Sequence, residues 1–255
     1  MKKIKKLLCL AFAIILLVST NISVLAKESN LLQPKEIHIQ LENNIALIEK
    51  ELEAKGTSVE QELKNALIWL ETEKACCTEI TEIQKLQALI DTTQLLLEDY
   101  RNYTYNANTR GVEHPVFTPA VAAVATYFSA NGYRLAFELL THAQDNNILD
   151  SKYVPHFGSR IKDSPVVRKL VGQGSLNGDA KFPNEGNVLE KDLYYAIHKF
   201  NYTFNPSTRI FSLSDRYDFA YGDYSGIAGV AIDTMYLAQL NGVLVPFYTT
   251  INEKF

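Results

Sequence analysis

The first pattern along the chain is an unbroken apolar run. Leu7 to Val18 carries no charge, follows lysines at positions 2, 3, 5 and 6, and gives way to Ser23-Val24-Leu25-Ala26. A basic start, a short apolar centre and small residues at its end are the layout of a secretory signal peptide, with cleavage expected after Ala26. The run is 12 residues long, short of the ~20 that span a bilayer. No later stretch is both long and uncharged enough to stop transfer. The expectation is therefore a secreted protein with no transmembrane segment after signal cleavage.

Beyond the run the apolar period becomes helical. Ile37, Leu41, Ile45 and Ile48 recur every three or four residues, the spacing of one helix face. Gly56-Thr57-Ser58 breaks the stripe, and Ser58 with Gln61 has the form of a capping box. Leu63, Leu67 and Leu70 resume it, as do Ile80, Ile83, Leu86, Leu89, Ile90 and Leu97 farther on. The pattern predicts two or three antiparallel helices over residues 27–101, able to self-associate as a coiled coil, with Trp69 in the core. The polar, turn-rich stretch 102–112 reads as a linker.

Residues 113–255 are patterned differently. Thr118-Pro119 opens a helix running to Asn131-Gly132, and a second runs from Tyr133 to about Asn146. Residues 147–187 read as irregular, apart from a short helix near Pro165–Leu170. Glu190–Lys199 reads as helix. Phe200–Phe204 and Arg209–Asp215 alternate about the turn Asn205-Pro206-Ser207-Thr208, which is a hairpin signal. Tyr224–Leu240 reads as helix and Val243–Ile251 as a final strand. The fold class expected is α+β: an N-terminal helical hairpin or bundle, then a mixed helix and antiparallel-hairpin domain.

Charge sharpens this division. Without residues 1–26 the chain carries 21 basic and 29 acidic residues, a net charge of −8, and the excess lies in residues 27–100 with 7 basic against 15 acidic. Residues 101–255 balance at 14 and 14. A neutral domain without a basic run does not suit non-specific nucleic-acid binding, so no nucleic-acid partner is expected. The two cysteines after the signal, Cys76 and Cys77, are adjacent and ill-placed to bridge each other. They read as small apolar residues at a helix end, or as an intermolecular disulfide. No second Cys or His pair stands at zinc spacing, and no P-loop, dinucleotide fingerprint, G-x-S-x-G or H-E-x-x-H occurs. The sequence thus designates no metal and leaves any cofactor unknown.

The densest chemistry is Asp215-Arg216-Tyr217-Asp218-Phe219, with Asp223 after it, where a strand meets a loop. Asp215 and Asp218 can divide acid and base roles because neighbouring carboxylates separate each other's proton affinities, with Tyr217 between them. The plainer reading is that the acids cap turns and the rings pack. His198, just before the hairpin, can pair with either acid if its helix crosses the strands. A second group, His142, His156 and Arg160, is a candidate binding set: Arg160 suits an anionic group, and His156 and Arg160 flank Gly158 in a segment read as flexible. Gly226 and Gly229 read as small residues that let a helix pack closely.

From about Glu113 the chain resembles a group of uncharacterised exported proteins of Gram-positive bacteria. The likeness rests on Ala130-Asn-Gly-Tyr133 with Leu139-Leu-Thr-His142, on Asp192–Phe200, and on Asp215–Phe219 with Asp223–Ala228. It implies export and no particular activity. Over 192–219 alone, the helix, hairpin and Asp-x-Tyr-Asp are similar to the end of colicin M-type bacteriocins, which cleave a lipid-linked peptidoglycan precursor. That likeness implies an acidic motif of Asp215, Tyr217 and Asp218. The family continues with His-Arg, where this chain has Ala220–Ser225 without either, so His198 would have to stand in. Three readings follow: a secreted hydrolase or toxin-like effector acting on cell-envelope material; a noncatalytic extracellular interaction module, with a cell-envelope or protein partner, that self-associates through its helices; and a helical half that restrains or delivers the C-terminal domain.

Overall fold

The computed structural model describes residues 34–107, 116–220 and 226–255. The expected signal peptide and Asp223 lie outside the described residues. Leu41–Phe255 forms one compact unit; the described residues before it, 34–40, are the opening turns of the first helix. The fold is α+β.

Three long helices come first: α1 (Pro34–Ala54), α2 (Val59–Cys76) and α3 (Ile80–Ala107). Most of the expected stripe is buried, namely Leu41, Ile45 and Ile48 from α1, Leu63 and Leu70 from α2, and Leu86, Leu89, Ile90 and Leu97 from α3; Leu67 and Ile83 are half-buried and Ile80 is exposed. Ser58 caps α2 by accepting from the Gln61 N–H at 3.2 Å, which supplies a partner that the first turn lacks. The stretch read as a linker is helical through Ala107, so α3 carries about half of it. Residues 108–115 lie outside the described set.

α4 (Phe117–Ala130) is buried all round from Pro119 to Phe128, as a helix without a polar face must be. It contacts α2, α3, α5 (Arg134–Asp145) and α8 (Gly226–Leu240). Inside Leu41–Phe255, the acidic helices and the later elements therefore share one core. Asn44 on α1 donates to the Thr234 hydroxyl on α8 at 2.9 Å, both buried, which ties the first helix to the last. Gly226 opens α8 at φ 65° with open space where a Cβ would stand. It is there for its backbone conformation, not for the close packing expected of it.

A five-stranded mixed sheet follows, in the order β1-β5-β4-β3-β2. Its strands are β1 (Ser151–Tyr153), β2 (Asn177–Lys181), β3 (Lys199–Asn205), β4 (Ile210–Tyr217) and β5 (Phe247–Lys254). β1 pairs with β5 in parallel, and the other pairs are antiparallel. The expected short helix is α6 (Pro165–Gly172); the rest of the span read as irregular holds two strands and a 3-10 turn: β1, the turn His156–Asp163, and β2. The segment around Gly158, read as flexible, is that ordered turn. A Cβ at Gly158 would stand 3.0 Å from Ile251 on β5, so glycine permits the close approach. α7 (Val188–Ala196) precedes β3 and starts with a full capping box of Asn187 and Glu190.

Candidate functional site

The inward face of β4 carries Phe211, Leu213, Asp215 and Tyr217 at alternate positions, a carboxylic acid within an apolar row. Pairing between β3 and β4 stops at Asn201↔Ser214, whereas β4 stays paired with β5 as far as Tyr217↔Phe247. The β3–β4 ladder thus ends while both strands continue, β3 on β2 as far as Lys199 and β4 on β5 as far as Tyr217, and the gap between them leaves a notch beside Asp215. α7 descends toward it and ends at Ala196; two residues on, His198, with a φ of 46°, turns the chain into β3. The His198 carbonyl accepts from the Phe182 N–H at 2.7 Å, which fixes the turn. The result is a cleft of about 180 Å³ lined by Tyr194, His198, Lys199, Asp215, Asp218 and Phe219, among others. A second groove of about 480 Å³, reaching Asp179, Lys181 and Asn201, shares Lys199 and Asp215 with it.

The two carboxylates of the cleft differ in setting. Burial pushes the Asp215 carboxyl up to about 7; the Arg216 backbone N–H opposes this and the Asp218 charge adds to it. Asp218 is more exposed and holds an ion pair with Arg216, which also donates to Asp150 at 2.8 Å. The site therefore offers one carboxyl that keeps its proton close to neutral pH and one charge-paired carboxylate. Such a pair can supply the acid and the anion of a general acid–base step. Tyr217 lines the same cleft, and its buried hydroxyl has no partner; burial raises its pKa. His198 packs its ring 4.8 Å from that of Tyr194. The structure thus brings Asp215, Tyr217, Asp218 and His198 to one place.

His142, His156 and Arg160 are each engaged by different side chains. His142 stacks on Tyr153 at 3.7 Å, and burial pushes its pKa down to about 4. His156 sits between the acidic helices: Nδ1 is 2.7 Å from Glu82 of α3 and Nε2 3.5 Å from Glu73 of α2. Arg160 forms an ion pair with the fully buried Asp192. Trp69 packs edge-on against Phe137 and Phe157, with the Arg134 guanidinium 5.2 Å over its ring.

Two buried acids escaped the sequence reading of function. Asp192 accepts from the Leu135 and Ala136 N–H groups at 3.2 and 2.9 Å, capping α5 from another element. Glu138 accepts from the Tyr153 hydroxyl at 2.7 Å and from the His156 and Phe157 N–H groups at 2.6 and 2.8 Å. Burial nonetheless raises the pKa of both, Asp192 to about 6. The signal for Glu138 was a lone acid amid Leu135-Ala-Phe and Leu139-Leu140 on an apolar helix. These acids pin the 3-10 turn and α7 onto α5. Among the described residues no group of His, Cys, Asp and Glu side chains is placed to hold a metal ion. No protein-family model, curated protein or solved structure matches this chain.

Proposed function

We propose that this is a secreted hydrolase whose acid–base site is the cleft at the end of β4, acting on cell-envelope material. Asp215 acts as the proton donor, Asp218 as the carboxyl group paired with Arg216, His198 as a group that contacts the substrate, and the Tyr217 ring as the wall behind them. One observation carries the reading: residues 198, 215, 217 and 218, from two separate elements, line a single cleft. His198 supports it further. A non-glycine residue at positive φ costs roughly 1–2 kcal/mol, and such strain is tolerated most often at functional positions. The signal-like N-terminus and the colicin M-type likeness of 192–219 favour an envelope substrate.

The test is growth of a bacterial host expressing either the complete chain, for export, or residues 27–255, retained inside, each beside Asp215→Asn. The reading expects toxicity in one compartment that the folded variant abolishes. Equal toxicity of the variant, or none from folded protein in either compartment, contradicts it.

A second reading, the noncatalytic interaction module that self-associates through its helices, is favoured by a different surface. Ile68, Ile80 and Leu95 on α2 and α3 are well exposed, and Leu67, Ile68 and the exposed Cys76 line a shallow apolar groove there.

A further inference from the structure

Among the described residues four buried side-chain atoms have no hydrogen-bond partner; besides Gln144 Oε1 they are His142 Nε2, the Tyr217 hydroxyl and the Thr249 hydroxyl. The last three belong to α5, β4 and β5, and their side chains lie in the layer around Phe247. The Phe247 ring lies 4.6 Å from that of His142 and 5.1 Å from that of Tyr217. Thr249 is the next residue on the same face of β5. In the sheet, Thr249 stands in register with Tyr153 on one side and Asp215 on the other. Directly opposed side chains on one face keep their Cβ atoms about 4.5–5.5 Å apart, a gap that a single water can bridge between polar tips.

Buried polar atoms in folded proteins nearly always have partners, so three orphans in one layer call for a common explanation. The chemistry of the set narrows it. The layer presents two hydroxyls, each able to donate and accept, and an imidazole that burial keeps neutral. Glu138 is already engaged by three donors, and Asp215, beside Thr249, keeps its proton close to neutral pH, so the layer offers no free countercharge for a cation there. A small neutral molecule that both donates and accepts fits, and buried water commonly makes about three such bonds.

We infer that ordered water occupies this layer, held by His142, Tyr217 and Thr249, and that it backs Asp215 from the interior of the protein. Around Asp215 stand Arg216 on its own strand and Asp218 just past its end, His198 and Lys199 across the notch, Tyr194 and Ile232 in the same cleft, Asp179 and Lys181 of β2 in the adjoining groove, and Thr249 from β5. Thr249 faces it from within the sheet. Thr249 is therefore a positioning residue: water between its hydroxyl and the Asp215 carboxyl fixes the orientation of the acid. That role rests on the proposed acid–base function, whereas the hydration site itself does not.

The test uses the folded chain and needs no substrate. Long-lived water is sought by NMR cross-peaks to the Thr249 methyl, the Asp215 carboxyl is titrated through its carbon shift, and Tm is measured for Thr249→Val and Tyr217→Phe. The inference expects water cross-peaks in the wild type, a lower Tm in both variants, and an Asp215 midpoint displaced by at least half a pH unit in Thr249→Val. Absent cross-peaks with a higher Tm in both variants would show a dry layer, because removing a partnerless hydroxyl relieves the fold. An unmoved Asp215 midpoint would likewise overturn the positioning role. Tyr217→Phe, which preserves shape, carries the stability test alone if Thr249→Val does not fold. The growth assay is not among these readouts, so failure here and failure of the hydrolase reading are distinguishable.

Discussion

Asp215 combines a carboxyl with a row of inward-facing apolar residues, and its proton affinity follows from that conflict. The folded-state pKa, about 7, lies above the ordinary 3.8, so the native protein binds this proton more tightly than the unfolded chain does. The associated stability is present in full below about pH 4 and is lost as pH rises through about 7. Asp215→Asn has no such proton to lose. Thermal melts from pH 4 to pH 8 should show the variant gaining on the wild type as pH rises; parallel curves would place Asp215 in an ordinary solvated setting. His198→Gly makes a sharper contrast. Glycine adopts positive φ without the steric cost of a Cβ, so the variant should keep its stability within about 1 kcal/mol in urea unfolding while losing the toxicity of the wild type. A strongly destabilised His198→Gly would assign His198 to packing instead. At the buried pair, Arg160→Ala leaves Asp192 without its countercharge. The expected loss in urea unfolding is about 2 kcal/mol, below the ~3–5 of fully buried pairs because the Arg160 side chain is 26% exposed.

At the scale of elements, the joint between the acidic helices and the 3-10 turn is a small polar cluster. His156 reaches Glu73 and Glu82 through its ring and Glu138 through its backbone N–H. His156→Ala removes the ring contacts and keeps the backbone bond. Amide exchange over the first turns of α3 should then quicken by about tenfold, the effect of losing roughly one charged hydrogen bond; unchanged exchange would mean that apolar packing alone holds the joint. The elements legible in the sequence are those with a strong period. The stripes of α1, α2 and α3 and the alternation of β3 and β4 predicted type, and burial at most positions; Ile80, at the start of α3, is an exception and is exposed. β2 was not legible because Asn177-Gly-Asp-Ala-Lys181 has no apolar alternation. It is an edge strand held by its ladder to β3. β1 is only three residues long, too short to show a period. The end of α3 was misread because Asn102–Ala107 is weak in helix propensity, yet extends a helix already nucleated over many turns. Of the candidate site, residues 215–218 were visible as a cluster of side-chain types. That the pairing of β4 with β3 would stop short of Asp215 and open a notch was not, because a side-chain pattern does not show where a ladder ends.

For the whole molecule, two surfaces compete for the function. The cleft at the end of β4 belongs to the hydrolase reading, and the exposed apolar face of α2 and α3 to self-association. The second makes its own prediction: if Ile68 and Leu95 join two copies, sedimentation of the folded chain will show a concentration-dependent dimer that Ile68→Glu abolishes. A monomer at all concentrations would remove that surface from the account. Among the described residues no helix is long and apolar enough to cross a membrane. The most direct test of the central claim is incubation of the purified chain with isolated bacterial envelope, with soluble products followed by mass spectrometry beside Asp215→Asn. Fragments released by the wild type and absent with the folded variant are the predicted result. Identical products from both proteins, or none from either, would contradict an acid–base site at Asp215.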